Sequence, residues 1–178
     1  LCAFDDGSGP ALFAAGSFPA IGGVVADAVA RWDGSSWTSI HSNGGGYQDY
    51  MQALIVFDDG TGPALYVGGY FPHQTVSYPI LSKWNGGMSW TSLPNLGNLL
   101  AGNRVNALAV FDDGSGPALY AGGVFTTAGG VPVLDIARWD GASWSNLGSG
   151  LAGAVRALAA FDDGSGPALY AGGSFTTA

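Results

Sequence analysis

The sequence has no glutamate and few basic residues, with only five lysines and arginines against 13 aspartates. The net charge of −8 argues against nucleic acid or an anionic membrane as a partner, because both require a basic surface. No apolar run reaches the roughly 18 residues of a membrane-spanning helix, so we expect no membrane insertion. Cys2 is the only cysteine, which excludes an internal disulfide. We expect Cys2 itself to be an ordinary apolar residue of a strand.

Helix-forming residues are also scarce, whereas glycine, with 31 residues, and the aromatic and hydroxyl side chains are abundant. This balance favours strands and tight turns. An acidic, lysine-poor composition rich in Gly, Ser, Thr and Trp is typical of secreted proteins. We therefore expect an extracellular or cell-surface location.

One phrase, Phe-Asp-Asp-Gly-(Ser/Thr)-Gly-Pro-Ala-Leu-(Tyr/Phe), occurs four times, beginning at Phe4, Phe57, Phe111 and Phe161. The spacings of 53, 54 and 50 residues indicate a repeat architecture in which neighbouring units stack to bury their apolar faces. The fourth copy stops where the third continues with two further glycines, so we expect a fragment or processed product of a longer array.

Each repeat is predicted to form four short strands, a to d, separated by turn residues. In the third copy, Asp-Asp-Gly-Ser-Gly separates strands a and b, and Asp-Gly separates strands c and d, which is a strong hairpin signal. The predicted strands are 105–111, 117–121, 136–139 and 143–145. Four antiparallel strands in about 50 residues form the blade of a β-propeller.

The motif order resembles that of kelch repeats: Leu-Tyr-x-Gly-Gly closes strand b, an aromatic ends strand c, and a second Trp follows. Residues 65–69, Trp84 and Trp90 show this order, as do residues 119–123, Trp139 and Trp144. The longer signature, Gly-Gly-x-Phe-Thr-Thr-Ala-Gly-Gly-Val followed by Ile-Ala-Arg-Trp-Asp-Gly-x-Ser-Trp, resembles kelch-like repeats of large secreted or surface bacterial proteins. It is also similar to the propellers of fungal cortical cell-polarity markers. The resemblance implies an extracellular or surface location and a non-catalytic role.

We therefore predict an all-β fold, a kelch-like β-propeller with four-stranded antiparallel blades of about 50 residues. Residues 1–178 would form one partial array of about three and a half blades. The predicted blades are approximately 1–50, 51–104 and 105–154, with a half blade at 155–178.

Six tryptophans occur in pairs that bracket the turn between strands c and d. Because the pairs recur in every full repeat, we expect them to pack blade against blade; stacking on sugars is the alternative. The predicted structural residues are Trp32, Trp37, Trp84, Trp90, Trp139 and Trp144.

The connections b–c and d–a vary between repeats, whereas the connections a–b and c–d hardly change. Binding residues concentrate in variable loops, and Tyr and His supply flat amphipathic contacts for a sugar or a peptide. Solvated loops with some aromatic self-packing are the plainer interpretation. The candidate ligand-binding residues are His41, Tyr47, Tyr50, His73 and Tyr78.

The constant turns are rich in aspartate, yet their spacing lacks the alternation of known calcium loops, and turn chemistry alone explains them. We predict no metal site and no cofactor. Arg31, Lys83 and Arg138 each precede the Trp of strand c, where they are placed to neutralise nearby carboxylates.

The favoured function is a non-enzymatic structural, adhesive or protein-interaction scaffold, and the alternative is a glycan-binding propeller that uses the variable loops. An enzyme is disfavoured. A copper oxidase needs a Tyr, His and Cys cluster that two histidines and one cysteine do not supply, and a glycosidase needs paired carboxylates. Only Asp27, Asp49 and Asp135 lie outside the repeated turns, and Asp27 and Asp135 fall at nearly matching points of two repeats.

An open stack of blades leaves unpaired strand edges, which are an aggregation hazard. We therefore expect further blades of the same protein to complete the ring. Strands from another copy of the chain are the alternative, with a protein or glycan as a possible ligand.

Overall fold

The computed structural model describes residues 1–40, 50–70, 80–87, 90–93, 96 and 102–177. Strands and turns make up these residues, and no helix occurs among them. Three four-stranded antiparallel sheets and one two-stranded sheet follow one another along the chain, and we call them modules 1 to 4. The predicted all-β class with four-stranded antiparallel sheets is confirmed.

Module 1 has the strand order β1-β2-β5-β6, which corresponds to strands a, b, c and d. A separate two-stranded hairpin, β3-β4, lies in its b–c connection. The strands are β1 (Cys2–Asp5), β2 (Pro10–Ala15), β3 (Ala20–Ile21), β4 (Val24–Val25), β5 (Val29–Trp32) and β6 (Trp37–Ser39).

Module 2 repeats the a-b-c-d order with longer first strands. Its strands are β7 (Tyr50–Asp58), β8 (Pro63–Tyr70), β9 (Leu81–Trp84) and β10 (Trp90–Ser92).

Module 3 again adds a small hairpin between strands b and c, and module 4 consists of strands a and b. Module 3 contains β11 (Arg104–Asp112), β12 (Pro117–Val124), β13 (Thr127–Ala128), β14 (Val131–Pro132), β15 (Ile136–Trp139) and β16 (Trp144–Ser145). Module 4 contains β17 (Val155–Asp162) and β18 (Pro167–Gly173).

The first aspartate of each Asp-Asp-Gly-Ser/Thr-Gly turn closes the a–b loop. Asp5 Oδ1 accepts hydrogen bonds from the backbone N–H groups of Gly7 and Gly9, at 2.9 and 3.0 Å. Both glycines have positive φ, 92° and 109°, which side chains disfavour. The same pair of bonds recurs at Asp58, Asp112 and Asp162.

The hairpins β3-β4 and β13-β14 were not predicted from the sequence, which indicated only a longer loop. Each is a pair of two-residue strands joined by a Gly-Gly turn, Gly22-Gly23 or Gly129-Gly130, with positive φ at all four glycines. A Gly-Gly pair between short β-rich runs is a hairpin signal, so the information was present in the sequence.

Successive modules pack face to face, and the core lies between them. One apolar cluster joins modules 1 and 2, a second joins modules 2 and 3, and a third joins modules 3 and 4. The first strands lie side by side, because β7 contacts both β1 and β11, and β11 contacts β17. In the described part of the chain, no helix is long and apolar enough to cross a membrane.

Candidate functional site

The paired tryptophans face each other across the c–d hairpin of each full module. Trp32 is opposite Trp37, Trp84 opposite Trp90, and Trp139 opposite Trp144 in the strand register. Their ring centroids lie 5.4, 6.2 and 5.3 Å apart. The residues before and after each c–d turn therefore form one aromatic unit.

The tryptophan of strand c also contacts the preceding module. The Trp84 ring lies 5.5 Å from the Phe13 ring of module 1, and both residues are fully buried. Trp139 belongs to the cluster that contains Phe57 and Tyr66 of module 2. These two indoles thus occupy equivalent places between successive sheets.

The tryptophan of strand d covers the b–c connection of its own module in modules 1 and 3. A Cβ on Gly22 would lie 2.5 Å from the Trp37 ring, and one on Gly129 would lie 3.0 Å from the Trp144 ring. In module 2, Trp90 Nε1 instead donates a 3.0 Å hydrogen bond to the carbonyl of Ile40 in module 1. In modules 2 and 3, both indoles of a pair are therefore used in packing, the first between modules and the second on a neighbouring connection or module.

The second aspartate of the a–b turn pairs with the basic residue of strand c. Lys83 Nζ lies 2.7 Å from Asp59 Oδ2, and the Nε atoms of Arg31 and Arg138 lie 3.2 and 3.3 Å from the second aspartates of their own modules, Asp6 and Asp113. The Nε–H groups of both arginines are not aligned for hydrogen bonds, so these two contacts are ion pairs only.

Hydrogen bonds fix the ionisation state of these carboxylates. Burial opposes ionisation of Asp59, but hydrogen bonds from Lys83, Thr61 and Tyr66 outweigh it and lower its pKa to about 2. Burial, together with the hydrogen bond to Asp59, raises the pKa of the Tyr66 phenol. At neutral pH the carboxylate is therefore charged and the phenol protonated, an arrangement that holds a loop rather than transferring protons.

In modules 1 and 2, the c–d turn of the next module covers the ion pair between the second aspartate and the basic residue of strand c. A Cβ on Gly86 would lie 3.1 Å from the carbonyl oxygen of Asp6, and one on Gly141 would lie 2.6 Å from that of Asp59. The side chains of Asp6 and Asp59 are accordingly 10% exposed, whereas that of Asp113 is 39% exposed. Asp113 is therefore the most exposed of these three paired carboxylates in the described part of the chain.

Of the predicted ligand-binding residues, the structure describes one. Tyr50 begins β7, is 39% exposed, and its ring lies 6.3 Å from that of Tyr70 in the opposite strand. Sequence reasoning missed Tyr70, although its place one residue after the Gly-Gly pair puts it opposite the start of strand a. His41, Tyr47, His73 and Tyr78 lie outside the described residues, as does Asp49.

The two remaining aspartates outside the repeated turns lie in b–c connections. Asp135 has φ of 58° and accepts hydrogen bonds from the backbone N–H groups of Phe125 and Gly153, at 2.9 and 3.2 Å. Asp27 is buried in module 1. Asp135 thus tethers its own connection to the segment that leads into module 4.

A cavity of about 710 Å³ lies between modules 3 and 4. Tyr120, Ile136 and Arg138 line it from module 3, and Leu169 and Tyr170 line it from β18. Nothing in the sequence indicated this cavity, because it is formed by residues of different modules that meet only in the folded chain.

The described residues contain no group of three or more His, Cys, Asp or Glu side chains that could hold a metal ion. No known protein-family model, curated protein or solved structure matches the chain.

Proposed function

We propose that the chain is part of a kelch-like β-propeller that serves as a non-enzymatic scaffold, for adhesion or protein interaction, outside the cell or on its surface. The observation that carries this proposal is the recurrence of one interface. Modules 2 and 3 each pack an indole of strand c against the module before it, and a c–d turn glycine of each lies against the second aspartate of that preceding module.

The position of strand a supports a radial arrangement. In a propeller, the first strands of all blades surround a common axis. Here β1, β7, β11 and β17 contact one another in sequence, and each of the three four-stranded sheets extends away from its first strand in the order a, b, c, d.

The use of the polar side chains supports a scaffold rather than an enzyme. The first aspartates of the a–b turns bond backbone N–H groups, and the second ones of modules 1 to 3 pair with cations. Asp33 and Asp140 likewise accept backbone hydrogen bonds in the c–d turns. Hydrogen bonds to the carboxylates of Asp59 and Asp113 lower the pKa of each to about 2, so both are poor proton donors near neutral pH.

The extracellular location rests on the acidic, lysine-poor composition and on the resemblance to secreted and surface repeats. Neither the composition nor the resemblance identifies a specific ligand. The partner of the scaffold is therefore proposed only as further blades or another protein.

A glycan-binding propeller is the second candidate, and the Tyr50–Tyr70 pair favours it. Two tyrosine rings 6.3 Å apart at the end of a hairpin, one of them 39% exposed, offer an aromatic surface for a sugar ring.

Nuclear Overhauser contacts test the radial arrangement on the full chain. We expect contacts between the Hα protons of Gly68 and the methyls of Val105, and between those of Gly122 and Val155, because each pair joins successive modules. Absence of both contacts in the folded protein would refute the stacked arrangement.

A glycan array separates the two functions. A scaffold gives no specific glycan signal, whereas the glycan-binding alternative requires a signal that Tyr50→Ala abolishes. Tyr170→Ala is the matched control, because Tyr170 is similarly exposed, at 43%, but lies in another module.

A further inference from the structure

The c–d turn of module 2 differs from its counterparts in its first residue. Modules 1 and 3 begin this turn with Asp33-Gly34 and Asp140-Gly141, whereas module 2 begins it with Asn85-Gly86. Module 2 also has a second glycine, Gly87, and one more residue between the paired tryptophans. The turn of module 2 therefore combines a side-chain amide with a glycine directly after it.

Asparagine is a chemically labile residue, and it is most labile before glycine. The backbone nitrogen of the next residue attacks the side-chain carbonyl carbon, Cγ, and closes a succinimide ring. The Cγ–Nδ2 bond breaks, and Nδ2 leaves as ammonia with the proton that the backbone nitrogen has lost. Because glycine has no Cβ, its nitrogen is unshielded and its backbone reaches the required conformation easily. Water then opens the ring at either carbonyl and leaves an aspartyl or an isoaspartyl residue.

The surroundings of Asn85 suit this reaction. Its side chain is exposed to solvent, and the φ of Gly86 is 102°. The side chains of Asp33 and Asp140 each accept two hydrogen bonds from backbone N–H groups of their turns, at 2.7–2.8 Å. Among the described residues, no such bond holds the side chain of Asn85. Its amide is therefore open to water.

Ionisation protects the equivalent aspartates from the same reaction. Hydrogen bonds, that from the backbone N–H of Ser36 above all, lower the pKa of the Asp33 carboxyl, and that from Ser143 has the same effect at Asp140. A negatively charged carboxylate repels a nucleophile, and ring closure on it would have to expel an oxide ion. The neutral amide of Asn85 has no such protection.

The turn that contains Asn85 lies against module 1. A Cβ on Gly86 would lie 3.1 Å from the carbonyl oxygen of Asp6, and Trp84 Nε1 donates a 2.9 Å hydrogen bond to the carbonyl of Gly87. An aspartyl residue at position 85 keeps the path of the chain and restores the residue type of modules 1 and 3. An isoaspartyl residue adds one carbon to the backbone before Gly86 and so displaces this glycine from Asp6.

We propose that Asn85 is a site of spontaneous deamidation, and that its isoaspartyl product loosens the contact between modules 1 and 2. The reaction consumes one water, releases one ammonia and transfers no electrons. The proposal goes beyond the scaffold function, because it describes how the chain changes with age at one defined interface.

Incubation of the full chain at mildly alkaline pH, in water enriched in heavy oxygen, tests the site. Trypsin cleaves after Lys83 and Arg104, so the peptide with Asn85 is separate from the one with Asn43, the other asparagine before a glycine. Asn43 lies outside the described residues. Tandem mass spectrometry should place one heavy oxygen at position 85, and enzymatic methylation of that peptide should detect isoaspartate.

Asn146 is the internal control for the rate. It is exposed like Asn85 but is followed by Leu147, whose side chain shields the attacking nitrogen. Asn85 should therefore react at least about tenfold faster than Asn146, because only its neighbour lacks a Cβ. Equal rates at the two positions, or no heavy oxygen at position 85, would overturn the proposed site.

Two variants separate the isoaspartyl product from a mere change of charge. After incubation, the parent chain should have a lower melting temperature and a shifted Trp84 indole N–H signal by nuclear magnetic resonance. Incubated Asn85→Gln should show neither change, because glutamine closes its larger ring far more slowly. Fresh Asn85→Asp should keep the Trp84 signal of the fresh parent. Isoaspartate at position 85 without a change in that signal or in melting temperature would overturn the effect on the module contact.

Discussion

The Gly-Gly pair that ends strand b has two different steric roles. The second glycine lies over a bulge in strand a: a Cβ on Gly69 would clash with the carbonyl oxygen of Tyr50. The first glycine faces the next module, since a Cβ on Gly68 would lie 2.5 Å from Val105 Cγ1. Module 1 has Ala15 at this first position, and there the next module supplies Met51, whose unbranched side chain adapts more easily.

Gly68→Ala should therefore destabilise the protein by about 1–3 kcal/mol, the usual cost of overpacking a filled site. Denaturant unfolding followed by tryptophan fluorescence measures the change. Gly172→Ala is the matched control in module 4, where the nearest atom to the added Cβ is 4.0 Å away. Equal losses in the two variants would show that the contact with Val105 is unimportant.

The Asp59 carboxylate should make stability depend on acid pH. Its folded-state pKa of about 2 lies below the ordinary value of 3.8, so its contribution is full above about pH 4 and is lost as pH falls towards 2. Asp59→Asn should lower the melting temperature at pH 7 and flatten its dependence between pH 4 and 2. Asp163→Asn should have the smaller effect, because among the described residues no cation pairs with Asp163. The reverse order would contradict the assignment.

At the scale of the strand, the sequence predicted most of the architecture. Asp-Gly and Asp-Asp-Gly-Ser-Gly turns mark hairpin ends unambiguously, so strands a to d of module 3 were placed within a few residues of their observed bounds. The basic residue before Trp84 or Trp139 was expected to neutralise a carboxylate, and it does.

Features that depend on tertiary contacts were not predictable. The strands of the b–c hairpins are only two residues long, which is too short for an alternation of apolar and polar residues to be recognised. Their turn glycines contact Trp37 and Trp144, which are distant in sequence. The cavity beside β18 is formed by residues of modules 3 and 4 that are distant in sequence, and no local sequence pattern predicts such a contact. Tyr70 was missed because strand b was expected to end at Gly69.

Trp139→Ala should cost about 3–5 kcal/mol, because it removes a buried indole from the interface between modules 2 and 3. Trp32→Ala is the matched control: Trp32 holds the same place in strand c, but it is only half-buried, without a preceding module in the described chain. Equilibrium denaturation should give the control a clearly smaller loss. A loss within error for Trp139→Ala would mean that the indoles do not join the modules.

Among the described residues, the main contacts between modules join neighbours in sequence, as in a one-dimensional stack. Stability in such arrays is approximately the sum of each module's own stability and its interfaces. Modules 2 and 3 have two interfaces each, whereas modules 1 and 4 have one in the described chain. In the described residues, module 4 is the two-stranded sheet β17-β18, and its Phe161 and Tyr170 are 61% and 43% exposed.

Amide hydrogen exchange should therefore follow position in the stack. We expect β8 and β12, which are buried and paired on both edges, to exchange slowest, and β17 and β18 to exchange fastest among the strands a and b. Uniform protection across β2, β12 and β18 would mean that the chain opens as a single cooperative unit, and the additive description of the stack would then be wrong.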